Sequence, residues 1–398
     1  MGGPATPTFK QFQLEVCSVP TRVNKVQHPA HPIQKNEPDL TTEDGVRAYL
    51  AGTPFATGRI DFLSGGTANW VYRLWLEEPF EGRTTVVLKH TKPYVRGNKD
   101  LAFTDERQVF EVEALKRVAS WVPSDSLVQV PHIPKFDKDV HAVIMDDAGE
   151  GSVTLKDFMK QGGPSVEMAT QIGKGLGEFL GRVHAWGTEH RAECEIFQGH
   201  TEAKAIAGAY YYGQLVPFFS GSSWEPKLQD PPLVVDGATL AVLKEVAEET
   251  SKALVSANDH VTSGRAICSF LLTTWARLKN IMVVDWEMAR IGLPGMEVGQ
   301  FAAEIFFCGR FHPDVCTETS KAVLENFFSL YASPTVGWGA KEISREVALE
   351  GAKAIVEAHA ANMEGLKKSF VGGLLGTQAS STLSTGTASE SNGTKKHR

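Results

Sequence analysis

The chain's most constraining feature is a run of four apolar residues, Ile281-Met282-Val283-Val284, that ends on a single carboxylate, Asp285, followed by Trp286-Glu287-Met288-Ala289-Arg290. Such a run reads as a buried strand delivering one acid at its end, the position from which a carboxylate meets a metal-bound phosphate. The stretch upstream carries no Asp or Glu back to Asp259. A phosphoryl-transfer site calls for a second acid in that stretch, so both the presence of Asp285 and this gap bear on function.

With 398 residues, 42% apolar and 22% charged, the chain is long for one core and is expected to form two lobes of a globular protein. Its formal net charge of −7 is not offset by any basic block, which leaves no electrostatic footprint for nucleic acid and favours small-molecule partners. Cys17, Cys194, Cys268, Cys308 and Cys316 form neither a CxxC pair nor a zinc spacing, which fits a reducing, cytoplasmic setting. There is no secretory pattern at the start and no run of eighteen apolar residues, so no membrane span is expected. Met1 to Thr6 matches the loose acylation pattern, read here as a chance match without a polybasic neighbour. Asn392-Gly393-Thr394 is a glycosylation triplet that lacks a route to the secretory lumen. The oligomeric state is not legible.

Residues 1–40 and the Ser/Thr-rich 375–398 are expected to be disordered tails. Thr41-Thr42-Glu43-Asp44 opens a short helix by capping chemistry. Strands are expected at 58–63, 70–76, 84–90, 130–137 and 140–146, with a turn over Glu77 to Arg83 and a helix over 106–119. From Thr154 the spacing turns helical, with Ile172, Leu176, Phe179, Leu180 and Val183 on one face. Further helices are expected at 237–257, 318–332 and 342–361. The reading is an α+β protein: an antiparallel-sheet lobe over 41–149 and a larger helical lobe over 150–370, divided near 147–152.

Three elements carry candidate chemistry. Ser64-Gly65-Gly66-Thr67-Ala68-Asn69 joins two strands, and its paired glycines would let backbone N–H groups close over a polyphosphate, although a plain hairpin uses the same residues. Lys89 ends an apolar strand, where a cation needs either a partner or a ligand anion, or else snorkels to solvent. Glu111, with Glu113 in reserve, is the helix acid placed to pair with Lys89. His184, on an apolar helix face, reads as a satisfied core histidine.

In chain order these elements, with Phe62 to Asn69, Val87 to His90, Pro93-Tyr94-Val95, Arg107 to Leu115, Ile144 to Gly149, Phe179 to His184 and Val284 to Phe301, resemble the aminoglycoside phosphotransferase and choline kinase superfamily, nearest its fungal methylthioribose-kinase-like branch. The likeness spans roughly 40–365. It implies a two-lobed protein-kinase-like fold and an ATP site holding magnesium. Ser64, Gly65, Gly66, Thr67 and Lys89 would meet the phosphates, Glu111 would hold Lys89, Met145 and Asp146 would lie beside adenine, and Asp285 would ligate Mg2+. The reaction implied is transfer of the γ-phosphoryl group of ATP to a hydroxyl of a small sugar-like or amino-alcohol substrate. Glu297 stands where relatives often have Asp, and is read as anchoring a loop over 292–297.

Relatives carry His-Gly-Asp some twenty residues before the metal Asp, then Asn about five residues on. Here 266–280 reads Ala-Ile-Cys-Ser-Phe-Leu-Leu-Thr-Thr-Trp-Ala-Arg-Leu-Lys-Asn, and no catalytic base is identified in it. Ser269 and Thr273 are too weakly basic to replace a carboxylate. Three explanations stay open: a pseudokinase that binds nucleotide as a scaffold, a reading frame altered across this block, or a kinase with an unrelated base.

Overall fold

The structure is a computed structural model that describes residues 38–331, apart from 64–65, 214, 221–234, 256–265, 269–272 and 278–279. Ser64, Gly65, the 342–361 helix, residues 1–37 of the expected 1–40 tail and all of the expected 375–398 tail therefore lie outside the described residues. The folded chain begins earlier than residue 41, because Leu40 is buried with Val46 and Leu50 of helix α1 (Glu43–Leu50). Thr42 caps that helix by accepting from the Gly45 N–H at 3.1 Å, as the capping pattern requires.

Strands β1 (Thr57–Phe62), β2 (Trp70–Phe80) and β3 (Arg83–His90) are followed by a small hairpin of β4 (Tyr94–Val95) and β5 (Asn98–Ala102), helix α2 (Arg107–Ala119), and strands β6 (Val128–Gln129), β7 (Lys135–Asp137) and β8 (Ala142–Asp146). The first sheet runs β1-β2-β3-β8-β7, antiparallel throughout. Two expectations need correction. The turn after β2 is two residues long rather than seven, since Glu81 (φ 48°) and Gly82 (φ 79°) both take the left-handed conformation that a tight hairpin demands. The strand expected over 130–137 is shorter, only Lys135–Asp137 (β7): Pro131 and Pro134 each remove a ladder donor, and the two-residue β6 before them joins a different sheet.

The second half contains β9 (Val153–Thr154), α3 (Leu155–Lys160), α4 (Val166–Glu189), α5 (Thr201–Ala207), α6 (Leu215–Ser220), α7 (Gly237–Val255), β10 (Ala266–Cys268), β11 (Thr273–Arg277), β12 (Asn280–Val284), β13 (Arg290–Gly292), α8 (Pro294–Phe311) and α9 (Pro313–Tyr331). Helix α8 replaces the loop expected over 292–297: Pro294 opens it, where a missing N–H costs nothing, and Glu297 sits in its first turn. Within the block that departs from the family pattern, β11 forms a hairpin with β12, while β10 pairs with β13. The sheet β6-β12-β11-β9 thus delivers Asp285 at the end of a central strand.

The helical core is built around α4, whose Ile172, Leu176, Phe179, Leu180 and Val183 are all buried as the 3.6-residue spacing foretells. On the adjoining face Gly173 and Gly177 lie against α9, where a Cβ would come within 2.3 Å of Val323 O and 2.2 Å of Phe327 O. This close helix contact is possible only without side chains there. Ala114, Leu115 and Val118 of α2 join the same core, while the outer face of the first sheet packs Tyr72, Leu74, Val86, Leu88 and Ile144 against α1. Helix α2 is therefore wedged between sheet and helices, with its inner face free to carry polar groups into the gap. No helix among the described residues is long and apolar enough to cross a membrane.

Candidate active site

Strand β3 points Lys89 at the inner face of α2, and β12 ends beside it. The Lys89 ammonium lies 2.9 Å from Glu111, 2.8 Å from Asp285 Oδ1 and 3.6 Å from Glu287 Oε2. Helical geometry selects Glu111 over Glu113: a two-residue step turns the side chain by about 200°, and Glu113 faces outward to pair with Arg117 and Lys116. Gln108, one turn before Glu111, donates from Nε2 to the Lys89 carbonyl at 2.9 Å, and Glu111 Oε1 accepts the Trp286 N–H at 3.2 Å. Lys89, Glu111 and Asp285, far apart in sequence, thus form one ionic cluster.

Asp285 is set apart from its neighbours by its backbone. Its φ of 69° is left-handed, uncommon for a residue with a side chain and costly unless the surroundings enforce it. Trp286 is the enforcing group. Its ring is buried against Phe179 and its Nε1 donates to Val283 O at 3.1 Å, so the chain turns sharply between the strand end and the core. The Asp285 side chain is consequently 36% exposed, against 1% for Glu111 and 9% for Glu287, and is the one acid of the three open to a ligand.

Three carboxylates around one buried ammonium set the electrostatics. Burial works to discharge Lys89, but Asp285, Glu111 and Glu287 outweigh it and hold its pKa above the ordinary value. Burial pushes the Glu111 carboxyl up, with Asp285 and Glu287 adding to the shift and Lys89 opposing it. Glu287 is also buried, yet it is held below its ordinary value by Lys89, by Arg107 and by a hydrogen bond from Asn69.

Of the other residues singled out in the sequence, Gly66 and Thr67 form the described part of the glycine turn. Their carbonyls accept from Arg96 Nη2 (2.5 Å) and the Gly97 N–H (2.9 Å) of the β4–β5 hairpin. A Cβ on Gly66 would meet nothing within 4 Å, so that side of the turn is open. Met145 is buried with Val112 and Val143, and its register opposite Val87, with Val143 opposite Lys89, puts it on the sheet face that carries Lys89. The Asp146 carboxylate is engaged within the lobe, accepting from Arg83 Nε at 2.6 Å and from the His132 N–H at 3.2 Å. His184 is fully buried, with Nδ1 3.0 Å from the Tyr331 hydroxyl and Nε2 3.1 Å from Glu297 Oε2, which is the satisfied core histidine expected. Glu297 anchors α8 to α4 through that contact.

Asn69, Arg107 and Glu287 were given no role by the sequence, although each lies in a segment that carries the family likeness. Asn69 Nδ2 donates to Glu287 Oε2 at 2.6 Å, and Arg107 donates to Asn69 Oδ1 at 2.6 Å and to Glu287 Oε2 at 3.2 Å. His200 was also missed. It is buried, stacks on Phe110 of α2 at 4.0 Å, and lies 3.0 Å from the Ala289 carbonyl through Nδ1.

His90 and His200 are both pushed down to about 4 by burial. Each must gain a proton on unfolding below its ordinary value of 6.5, so the stability they permit is complete above that pH and is lost as pH falls from 6.5 towards 4. The expected loss is about 1.4 kcal/mol for each by pH 5.5. Urea titrations at pH 7.5 and 5.5 on the parent and on His90→Gln measure it, and the variant should show the smaller difference.

Magnesium takes one or two carboxylates and completes its shell with phosphate oxygens and water. Asp285 meets that requirement, being ionic, accessible and fixed at a strand end. Among the described residues no group of three or more His, Cys, Asp or Glu forms an all-protein metal cage.

No protein-family model matches the chain. A 4-hydroxytryptamine kinase of Psilocybe cyanescens is 29% identical over 360 residues, covering 82% of this chain and 96% of that protein. The phosphotransferase FrzJ of a Cladobotryum species is 25% identical over 304 residues, covering 71% and 77% respectively. Among solved structures, a choline/ethanolamine kinase family protein from Mesorhizobium loti aligns over 86% of this chain and 95% of its own at 15% identity, with a TM-score of 0.41. Over most of its length the chain is thus similar to proteins named as kinases and phosphotransferases.

Proposed function

We propose that the protein binds the magnesium complex of ATP between sheet and helices and transfers the γ-phosphoryl group to a hydroxyl of a small molecule. The observation that carries the reading is the Lys89 ammonium held between Glu111 and the open carboxylate of Asp285. Lys89 would move from Asp285 to the nucleotide phosphates, with Glu111 keeping its stem in place. Asp285 would hold the metal, which supplies charge neutralisation on the phosphate oxygens. The open side of Gly66 leaves room for phosphates beneath the glycine turn, and Met145 offers an apolar surface on the face that carries Lys89. Because relatives at 29% and 28% identity are named 4-hydroxytryptamine kinases, hydroxylated aromatic amines head the acceptor classes, ahead of choline-like amino alcohols and sugars.

A second reading rests on a specific observation: 260–284 contains no Asp or Glu to take the acceptor's proton. A positioned general base contributes about 10²–10⁴-fold. The protein would then bind nucleotide without turning it over and serve as a scaffold. ADP release measured with 4-hydroxytryptamine, choline and a sugar panel separates the two. Release that depends on an acceptor, and that Asp285→Asn removes, supports transfer, whereas saturable Mg·ATP binding with no release under any acceptor supports the scaffold.

A further inference from the structure

Glu287 follows Asp285 by two residues and faces the same buried cluster, so the acid pair Asp-Trp-Glu invites the reading of two metal carboxylates. The contacts assign Glu287 elsewhere. Its Oε2 accepts from Asn69 Nδ2 (2.6 Å) and Arg107 Nε (3.2 Å), with Lys89 Nζ at 3.6 Å, and its side chain is 9% exposed. Arg107 has no exposed surface at all. Besides Glu287 it donates through Nη2 to Asn69 Oδ1, through Nη1 to the Lys92, Phe103 and Thr104 carbonyls, and it covers the Phe103 ring at 4.2 Å. Asn69 closes the triangle, and its carbonyl accepts from Arg96 Nε at 2.9 Å.

These three side chains come from the end of the glycine turn, the start of the helix that carries Glu111, and the strand exit that carries Asp285. We infer that Asn69, Arg107 and Glu287 form a buried latch that fixes the Gly66 to Asn69 part of the turn above Asp285, and that they are positioning residues for the nucleotide rather than metal ligands. The β4–β5 hairpin extends the latch. Arg96 and Gly97 hold the carbonyls of Gly66 to Asn69 from outside, and the Thr104 N–H at the hairpin's base donates to Glu202 of α5 at 3.2 and 3.0 Å. Buried and paired polar groups specify one arrangement, because every alternative leaves a charge unsatisfied. A turn preset in this way binds phosphate without first having to be ordered.

The inference rests on the nucleotide reading above, so its test has one arm that needs no nucleotide. In hydrogen exchange on the full-length, nucleotide-free protein, Asn69→Ala and Glu287→Gln should each speed exchange by at least about tenfold over 66–70 and 94–102, with 57–62 and 84–88 unchanged. Unchanged exchange over 66–70 in both variants overturns the latch, whatever the nucleotide does. In the second arm, ATP affinity is titrated with excess Mg2+ and with EDTA. Each variant should weaken binding by about tenfold in both conditions, and the double variant no more than either single one. A loss confined to the Mg2+ condition makes Glu287 a metal ligand and overturns the assignment. Absence of ATP binding by the parent overturns the nucleotide reading alone, leaving the exchange result to decide the latch. Should Asn69→Ala fail to fold, Glu287→Gln, which keeps the shape and one acceptor, carries both arms.

Discussion

Asparagine in place of Asp285 should cut the thermal shift that Mg·ATP gives the parent down to the smaller shift given by ATP in EDTA, while leaving the unliganded melting temperature within about 1 °C. The parent shift follows from linkage. A ligand at one hundred times its dissociation constant stabilises the folded state by about 2.7 kcal/mol, roughly 3 °C for a chain of this size. Two features of the site make the unliganded protein indifferent to the change. Lys89 keeps both Glu111 oxygens within reach and remains neutralised. The φ of 69° at position 285 is tolerated by Asn, which is enriched in the left-handed region, so no backbone strain is added. What disappears is the negative charge that an ion bridging to phosphate requires. Scanning fluorimetry with Mg·ATP, and with ATP in EDTA, reads the two effects apart: the shift with EDTA should survive, because Lys89 and the glycine turn act on phosphate without metal. A full Mg·ATP shift in the variant would remove Asp285 from the proposed metal site.

The residues whose chemistry was legible in sequence are those that violate a local rule. Lys89 is a cation closing an apolar strand, Asp285 an acid doing the same, and each stands out against its neighbours. Glu111 was separable from Glu113 only by helical phase, which sequence gives to within a residue or so and the packing of α2 decides. Asn69, Arg107 and Glu287 escaped because none breaks a local pattern: an Asn after a glycine turn, an Arg opening a helix and a Glu after a Trp are all ordinary surface choices. Their burial is a product of tertiary contacts spanning as many as 218 residues, such as Asn69 to Glu287. The β4–β5 hairpin was likewise unreadable, since Tyr94-Val95 and Asn98 to Ala102 are too short and polar to alternate, and the docking of Arg96 and Gly97 on the glycine turn is a tertiary contact. Strand boundaries near Pro131 and Pro134 failed for a different reason: Val130, Ile133 and Phe136 are spaced among polar residues as in a strand, but the two prolines keep 130–134 out of any ladder and leave short strands in two sheets on either side.

Methionine in place of Lys89 is the substitution with the largest expected cost to the unliganded fold. It fills similar volume but leaves Glu111, Asp285 and Glu287 in one cluster with Arg107 alone opposing them, and Arg107 reaches only Glu287. Removing one member of a buried ion pair typically costs about 3–5 kcal/mol, because the remaining charge is left without compensation. The sign of the pH dependence identifies the cause. A buried carboxyl whose folded pKa rises above its unfolded value of 4.5 destabilises the fold only where the unfolded state would be ionised, so the deficit is absent below that pH and grows as pH rises through it. The difference in unfolding free energy between parent and Lys89→Met should therefore be largest near pH 8 and shrink steadily towards pH 5. Taking the difference cancels the contribution of His90 and His200, which both proteins share. A second substitution, Glu111→Gln, should recover most of the loss at pH 8, because a neutral amide in the same place needs no cation and its Nε2 can donate to Asp285. A deficit that is flat with pH and untouched by Glu111→Gln would mean that Lys89 acts through its alkyl stem in packing, and the ionic cluster would lose its place as the centre of the site.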